Sequence, residues 1–289
     1  MMKKILFAAL AAVVCFSSAG FAQDDGKFWT YKIGDFEFTA IKDADTNMGK
    51  EILMDPYSDA VKKNMPDNQN PSSINVFVLK TKDKTILFDT GTGAGGKMLE
   101  NMKLAKIDPE KIDMIFLTHM HGDHAGGLLT KDGATAFKKA VIYVAKPEMD
   151  YWVSNLYDAA TSSLARKIQT VYAGRIKNFE WGDEVVSGVK ALKAVGHTPG
   201  HTAYEITSNG SKLIVIGDLV HVLKVQMADP NIAVKFDTDS KQAIETRKAV
   251  LKQAARSNAK IAGMHIPFPG VGTVGETDDG GYFFYPAVQ

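Results

Sequence analysis

Apolar positions in this chain fall first into one continuous block and then into short alternating runs, and the two textures predict different things. Ile5 to Phe16 is almost unbroken apolar sequence behind Lys3-Lys4, the pattern of a secretory leader rather than of a packed helix. Phe28-Trp29-Thr30-Tyr31-Lys32-Ile33 and Phe36-Glu37-Phe38-Thr39-Ala40-Ile41 flank Gly34-Asp35, which predicts two strands joined by a tight hairpin. The polar, proline-punctuated stretch 43–73 predicts a long loop holding a short helix around Ser58 to Asn64. Strand pattern resumes at Ile74 to Leu79, Thr85 to Phe88, Met114 to Thr118 and Val141 to Val144. It returns at Val189 to Val195, Tyr204 to Thr207 and Leu213 to Ile216, with Asn209-Gly210 as the turn between the last two. Helical pattern covers 147–174, which carries Tyr151, Trp152, Tyr157 and Tyr172. A second helix is predicted over Ser240 to Ser257, with Ala243, Ile244, Val250, Leu251 and Ala254 on one side.

The leader is expected to end at Gly20-Phe21-Ala22, making 1–22 a signal peptide and 23–289 one mature domain. Its apolar run is shorter than the ~20 residues needed to span a bilayer. The expectation is therefore export across the inner membrane, a periplasmic location and no stable membrane anchor. Cys15, the only cysteine, lies inside the leader behind Val13-Val14, which does not fit a lipid-attachment site. The mature chain thus has neither disulfides nor thiolate metal ligands to draw on. Loss of Lys3 and Lys4 takes 34 basic residues to 32 against 33 acidic ones, a net −1. That balance leaves no footprint for nucleic acid, and the pairs Lys62-Lys63 and Lys138-Lys139 read as solvated faces. No internal repeat or linker divides the mature chain.

The chemistry concentrates in Thr118-His119-Met120-His121-Gly122-Asp123-His124, directly after the apolar run Met114 to Leu117. Three histidines and an aspartate on one strand-end loop suit zinc or a similar borderline metal. Only seven histidines occur in the chain, leaving His197, His201, His221 and His265. His197 follows the strand ending Ala194-Val195, His265 follows Ile261 to Met264, and Asp218 follows Leu213 to Gly217. Strand ends let a rigid sheet aim loop side chains at one point.

These residues resemble the metallo-β-lactamase superfamily, with its HxHxDH motif, downstream histidine, bridging aspartate and final histidine. The resemblance runs from about residue 28 onward and implies an αββα sandwich, two β-sheets flanked by helices. It implies His119, His121 and His197 as ligands of one metal, Asp123, His124 and His265 of the other, and Asp218 as the bridge. It makes Asp89 a partner that orients a ligand histidine, keeps His201 off the metal, and places Trp152 as a pocket aromatic, for which core packing is the competing reading. His221 stands where related lactonases have a tyrosine. It faces the substrate or is an ordinary packed histidine, and the sequence leaves both open.

A dinuclear site lowers the pKa of bound water from about 15.7 towards ~7, so hydrolysis by a metal-bridging hydroxide is the implied reaction, with Asp123 also orienting it or passing a proton. Two divalent ions, zinc foremost, are the expected cofactors. The missing cysteine and the presence of Asp218 depart from the β-lactamase subclasses. The segments Gly34 to Ala40, Gly196 to Thr202 and His265 to Gly270 are similar to the branch of methyl parathion hydrolase and related lactonases. The expected activity is on an ester, lactone or phosphotriester. A small-molecule substrate is the expected partner, and a homodimer is compatible with the sequence. The alternatives are a β-lactamase, a mononuclear iron persulfide dioxygenase of the same fold, and a non-catalytic binding protein.

Overall fold

The computed structural model describes residues 23–24, 26–154 and 158–287. The expected leader, 1–22, and Tyr157 lie outside them. The first eight strands form one sheet in chain order: β1 (Gln23–Asp24), β2 (Phe28–Ile33), β3 (Phe36–Asn47), β4 (Pro71–Lys80), β5 (Thr85–Phe88), β6 (Met114–Phe116), β7 (Val141–Tyr143) and β8 (Ile176–Lys177). Strands β1 to β5 pair antiparallel and β5 to β8 parallel. The hairpin at Gly34-Asp35 is present, with Ile33 opposite Phe36. Gly34 has φ +54, and a Cβ there would sit 2.2 Å from the Ser208 carbonyl oxygen, so both conformation and space demand glycine.

The predicted loop 43–73 is shorter than expected, because β3 and β4 remain paired as far as Asn47 opposite Pro71. The end of β3 is polar and alternates between half-buried and exposed, and after Pro71 β4 opens on buried serines, so hydrophobic pattern does not mark them. A register shift at Lys42/Ala44 turns Asp43 inward, where it accepts hydrogen bonds from Thr92 N, Thr92 Oγ1 and Met98 N. The short helix α1 (Asp59–Asn64) starts from a Ser58 cap, as the sequence predicts.

The second sheet has the order β15-β14-β13-β12-β11-β10-β9. It comprises β9 (Glu184–Val186), β10 (Val189–Lys193), β11 (Thr202–Ser208), β12 (Ser211–Gly217), β13 (Lys260–Gly263), β14 (Val271–Glu276) and β15 (Tyr282–Pro286). All neighbours are antiparallel except β12 and β13, whose connection contains the helices α6 (Leu223–Ala228) and α7 (Ser240–Ser257). Asp239 caps α7 at one end, and Asn258 ends it in the left-handed conformation. The stretch predicted as mainly helical over 147–174 is two helices, α4 (Lys146–Ser154) and α5 (Ala159–Val171). Asp158 caps α5 by accepting from Thr161 N.

Three apolar layers hold the assembly together. Phe38, Phe77, Phe88 and Phe116 of the first sheet meet Tyr204, Leu213 and Val215 of the second. Outside the first sheet, Ile115 and Ile142 pack with Met102 of α2 (Met98–Leu104), Trp152 and Ile168. Outside the second, Ile214 and Ile216 pack with Met227, Val250 and Leu251. This is the αββα arrangement that the sequence implied. Among the described residues no helix is long and apolar enough to cross a membrane.

Candidate metal centre

The ligand loop leaves β6 and enters the single-turn helix α3 (Gly122–Ala125). β6 ends at Phe116, two residues earlier than the pattern suggests, because Thr118 turns its backbone N–H to the Asp89 carboxylate. One donor atom each from His119, His121, His197 and Asp218 lies within 4.8 Å of the others, as does one each from Asp123, His124 and His265. Asp218 sits between the sets: its Oδ2 is 3.3 Å from His197 Nε2 and from His265 Nε2, and its Oδ1 is 3.1 Å from His124 Nε2. His265 Nε2 lies 3.3 Å from Asp123 Oδ2. All seven residues singled out as ligands in the sequence therefore meet at one place.

The donor set fits a pair of cations. Three ring nitrogens converge where His121 Nδ1 stands 3.0 Å from His119 Nε2 and 3.1 Å from His197 Nε2. His124 Nε2 and Asp218 Oδ1 are buried without a hydrogen-bond partner. A buried ring nitrogen and a buried carboxylate oxygen facing one another call for a positive charge between them, a metal ion or, without one, the proton that His124 holds.

Three of the ligand rings, His119, His124 and His197, are aimed from behind, whereas His265 Nδ1 is buried without a hydrogen-bond partner. His124 Nδ1–H donates to Asp89 Oδ2 at 2.8 Å, leaving Nε2 for the centre. Asp89 also accepts from Thr118 N and Thr118 Oγ1, both at 2.7 Å. His119 Nδ1 lies 3.0 Å from Thr118 Oγ1. His197 Nδ1–H donates to Asp237 Oδ1 at 2.9 Å. His201 stays behind the centre: its Nδ1–H donates to the Ala194 carbonyl, and its Nε2 accepts from Asp218 N. His221 is buried, with Nε2 3.0 Å from Asp218 Oδ2 and its ring stacked on His265 at 5.1 Å. It lines the pocket, and with Asp218 and His265 it forms a third group of converging donors.

Sequence reading missed Asp237, Glu148 and Arg247. Nothing distinguishes Asp237 from Asp229 or Asp239 before the chain folds back on His197. Arg247 lies on the buried side of α7, where its guanidinium donates to the carbonyls of Leu219, Pro230 and Ile232. Glu148 is fully buried at the first turn of α4.

Charge within the cluster is sharply divided. Burial pushes His121 down to about 3 and His119 well below the usual imidazole range. Burial opposes protonation of His197 too, but the carboxylates of Asp218 and Asp237 raise it to about 9. Against the same opposition, Asp218 and Asp123 hold His124 well above the ordinary value. Burial would raise Asp218 and Asp123, yet His124 and His265 pull both below the carboxylate range.

The donors share a cavity of about 500 Å³ whose lining also includes apolar Met48, Ile52, Trp152 and Phe236 and polar Asp158 and Thr161. Trp152 serves both expected roles, packing in the outer core and walling the pocket 5.3 Å from the His121 ring.

Residues 70–265 match the model described as the Metallo-beta-lactamase superfamily. The chain belongs to this superfamily. It is similar in structure to a crystal structure described as hydrolase AbOPH in the beta lactamase superfamily, with a TM-score of 0.84, 31% identity, and coverage of 92% of this chain and 99% of that one. It is also similar to AidC, described as a dizinc quorum-quenching lactonase, at TM-score 0.83, 28% identity and the same coverage. In sequence it is 29% identical to an N-acyl homoserine lactonase of Bacillus cereus, over 56% of this chain and 70% of that protein. A ribonuclease Z of Pyrococcus horikoshii matches at 32% identity over 45% of this chain, and the match spans only 43% of that relative's length.

Proposed function

We propose that this superfamily member is a dinuclear metal-dependent hydrolase of small esters or lactones, with phosphotriesters as secondary substrates. The observation that carries this reading is the pair of donor sets sharing Asp218 on the floor of an apolar-walled pocket. His119, His121 and His197 would hold one ion, Asp123, His124 and His265 the other, and Asp218 both. Imidazole with carboxylate and no thiolate suits zinc, and the dizinc lactonase AidC supports that choice. When bound, the two ions would supply an acidified water, its pKa lowered from about 15.7 towards ~7, and polarise the substrate carbonyl or phosphoryl oxygen.

The chain's own residues do the rest. Asp123 is only half-buried, its side chain 32% exposed at the pocket floor. As a carboxylate on the pocket floor it can take a proton from water and return it to the leaving group. Met48, Ile52, Trp152 and Phe236 would hold the apolar part of the substrate and exclude bulk water from the floor. The lactonase relatives and the apolar lining favour an uncharged substrate over nucleic acid, in keeping with the near-neutral chain. The leader-like start supports action after export to the periplasm, which cell fractionation would test.

Metal quantification coupled to a substrate panel tests the reading. Two zinc ions per chain and hydrolysis of lactones or aryl esters are expected, with both lost in His119→Ala and Asp218→Ala. Metal-loaded protein that left lactones, aryl esters and phosphotriesters untouched would count against it. A single iron with oxygen consumption on persulfides would point instead to a dioxygenase.

A further inference from the structure

Glu148 is a fully buried carboxylate with four hydrogen-bond donors around it and no cation among them. Its Oε1 accepts from Met120 N at 2.9 Å and from Trp152 Nε1 at 2.7 Å. Its Oε2 accepts from Thr198 Oγ1 at 2.6 Å and from Gly200 N at 2.9 Å. Met120 lies between His119 and His121, and Thr198 follows His197 directly. One oxygen thus holds the first ligand loop and the pocket wall, while the other holds the second ligand loop. The contact with the second loop is close-fitting: a Cβ at Gly200 would lie 2.3 Å from Glu148 N. Burial raises the Glu148 pKa, whereas the four donors lower it by favouring the charged form.

We propose that Glu148 is a positioning residue that fixes the spacing of the His119–His121 and His197 donors and ties substrate-facing Trp152 to the same carboxylate. This rests on the dinuclear reading given above. A carboxylate is required because every partner is a donor. Glutamine has the same shape but would turn an NH2 group towards one of the two loops.

The test is zinc affinity, measured by competition with a chromophoric chelator, alongside steady-state kinetics on a substrate that the parent protein hydrolyses. Glu148→Gln should weaken zinc binding by about 10–100-fold while keeping the parent's circular dichroism. Thr198→Val, which deletes one of the four bonds, should shift zinc affinity in the same direction by less. Trp152→Phe, which deletes the one of the four bonds that reaches the pocket wall, should raise KM and weaken zinc binding less than Glu148→Gln does. A folded Glu148→Gln that binds two zinc ions as tightly as the parent would overturn the proposal. So would a Glu148→Gln that fails to fold while Thr198→Val retains parental zinc affinity, since Glu148 would then serve only the fold. A parent that binds no zinc would bring down the dinuclear reading itself, an outcome distinct from either of these.

Discussion

Asp89 spends both carboxylate oxygens on the loop it faces, and its own backbone sits at φ +55. Asparagine tolerates that conformation as readily as aspartate does but lacks the charge that favours a donor on His124 Nδ1. Asp89→Asn should therefore fold and lose about 10–100-fold in metal affinity, read by chelator competition. Protons and metal compete for the same rings, which sets a pH dependence for chelator-treated protein. His197 rises from 6.5 unfolded to about 9 folded, so its contribution to stability is complete below about 6.5 and disappears as pH climbs through about 9. His124 shifts in the same direction. Thermal midpoints of metal-free protein should fall across that window, and a flat or rising profile would contradict the assignment. Few histidines and strand-end placement marked the candidates, and the family resemblance sorted them into ligands. Asp237 and Glu148 were not, because an acidic residue aimed at an imidazole ring or a backbone amide looks in sequence like any solvated one.

Elements repeat the lesson in a different form. Helix α7 begins and ends where its pattern predicts, yet its buried side includes Arg247 while Ile244 is only half-buried. Periodicity assigns a charged residue to solvent and cannot anticipate free carbonyls waiting inside. Arg247→Met should cost about 3 kcal/mol in urea denaturation, since buried carbonyls left without donors cost about 1–3 kcal/mol each. Gly196 shows the same dependence on neighbours. It has φ +128, and a Cβ there would sit 2.2 Å from Ala243 N near the start of α7. Gly196→Ala should destabilise by about 1–3 kcal/mol and displace adjacent His197, lowering zinc affinity along with the melting temperature. The overlong loop expected at 43–73 has a related origin: its outer residues pair as strand through backbone bonds that side-chain hydropathy does not report.

For the whole molecule, the decisive fact is that the donors come from both sheets. His119, His121, Asp123 and His124 follow β6, whereas His197, Asp218 and His265 follow β10, β12 and β13. Bound ions would act as ties across the sandwich, and zinc should raise the melting temperature in a concentration-dependent way. The gain is about 2.7 kcal/mol per site at a hundredfold excess over Kd, measurable by calorimetry with and without chelator. The αββα class could be anticipated from the family resemblance that the motif carries. Apart from Trp152, the pocket wall could not, because Met48, Ile52 and Phe236 lie in segments without regular periodicity.

The parallel pairing of β12 with β13 has a bearing on when the ion is chosen. Asp218 and His265 come together only after the long α6–α7 excursion has returned β13 to its place beside β12. Until then the His119–His124 loop holds an incomplete set of donors, open to any passing divalent ion and well suited to none. Any selection of metal would thus come late in the life of the chain, governed by the ion supply wherever folding finishes. Cells that complete this fold in different surroundings would obtain the same protein with different chemistry at its centre.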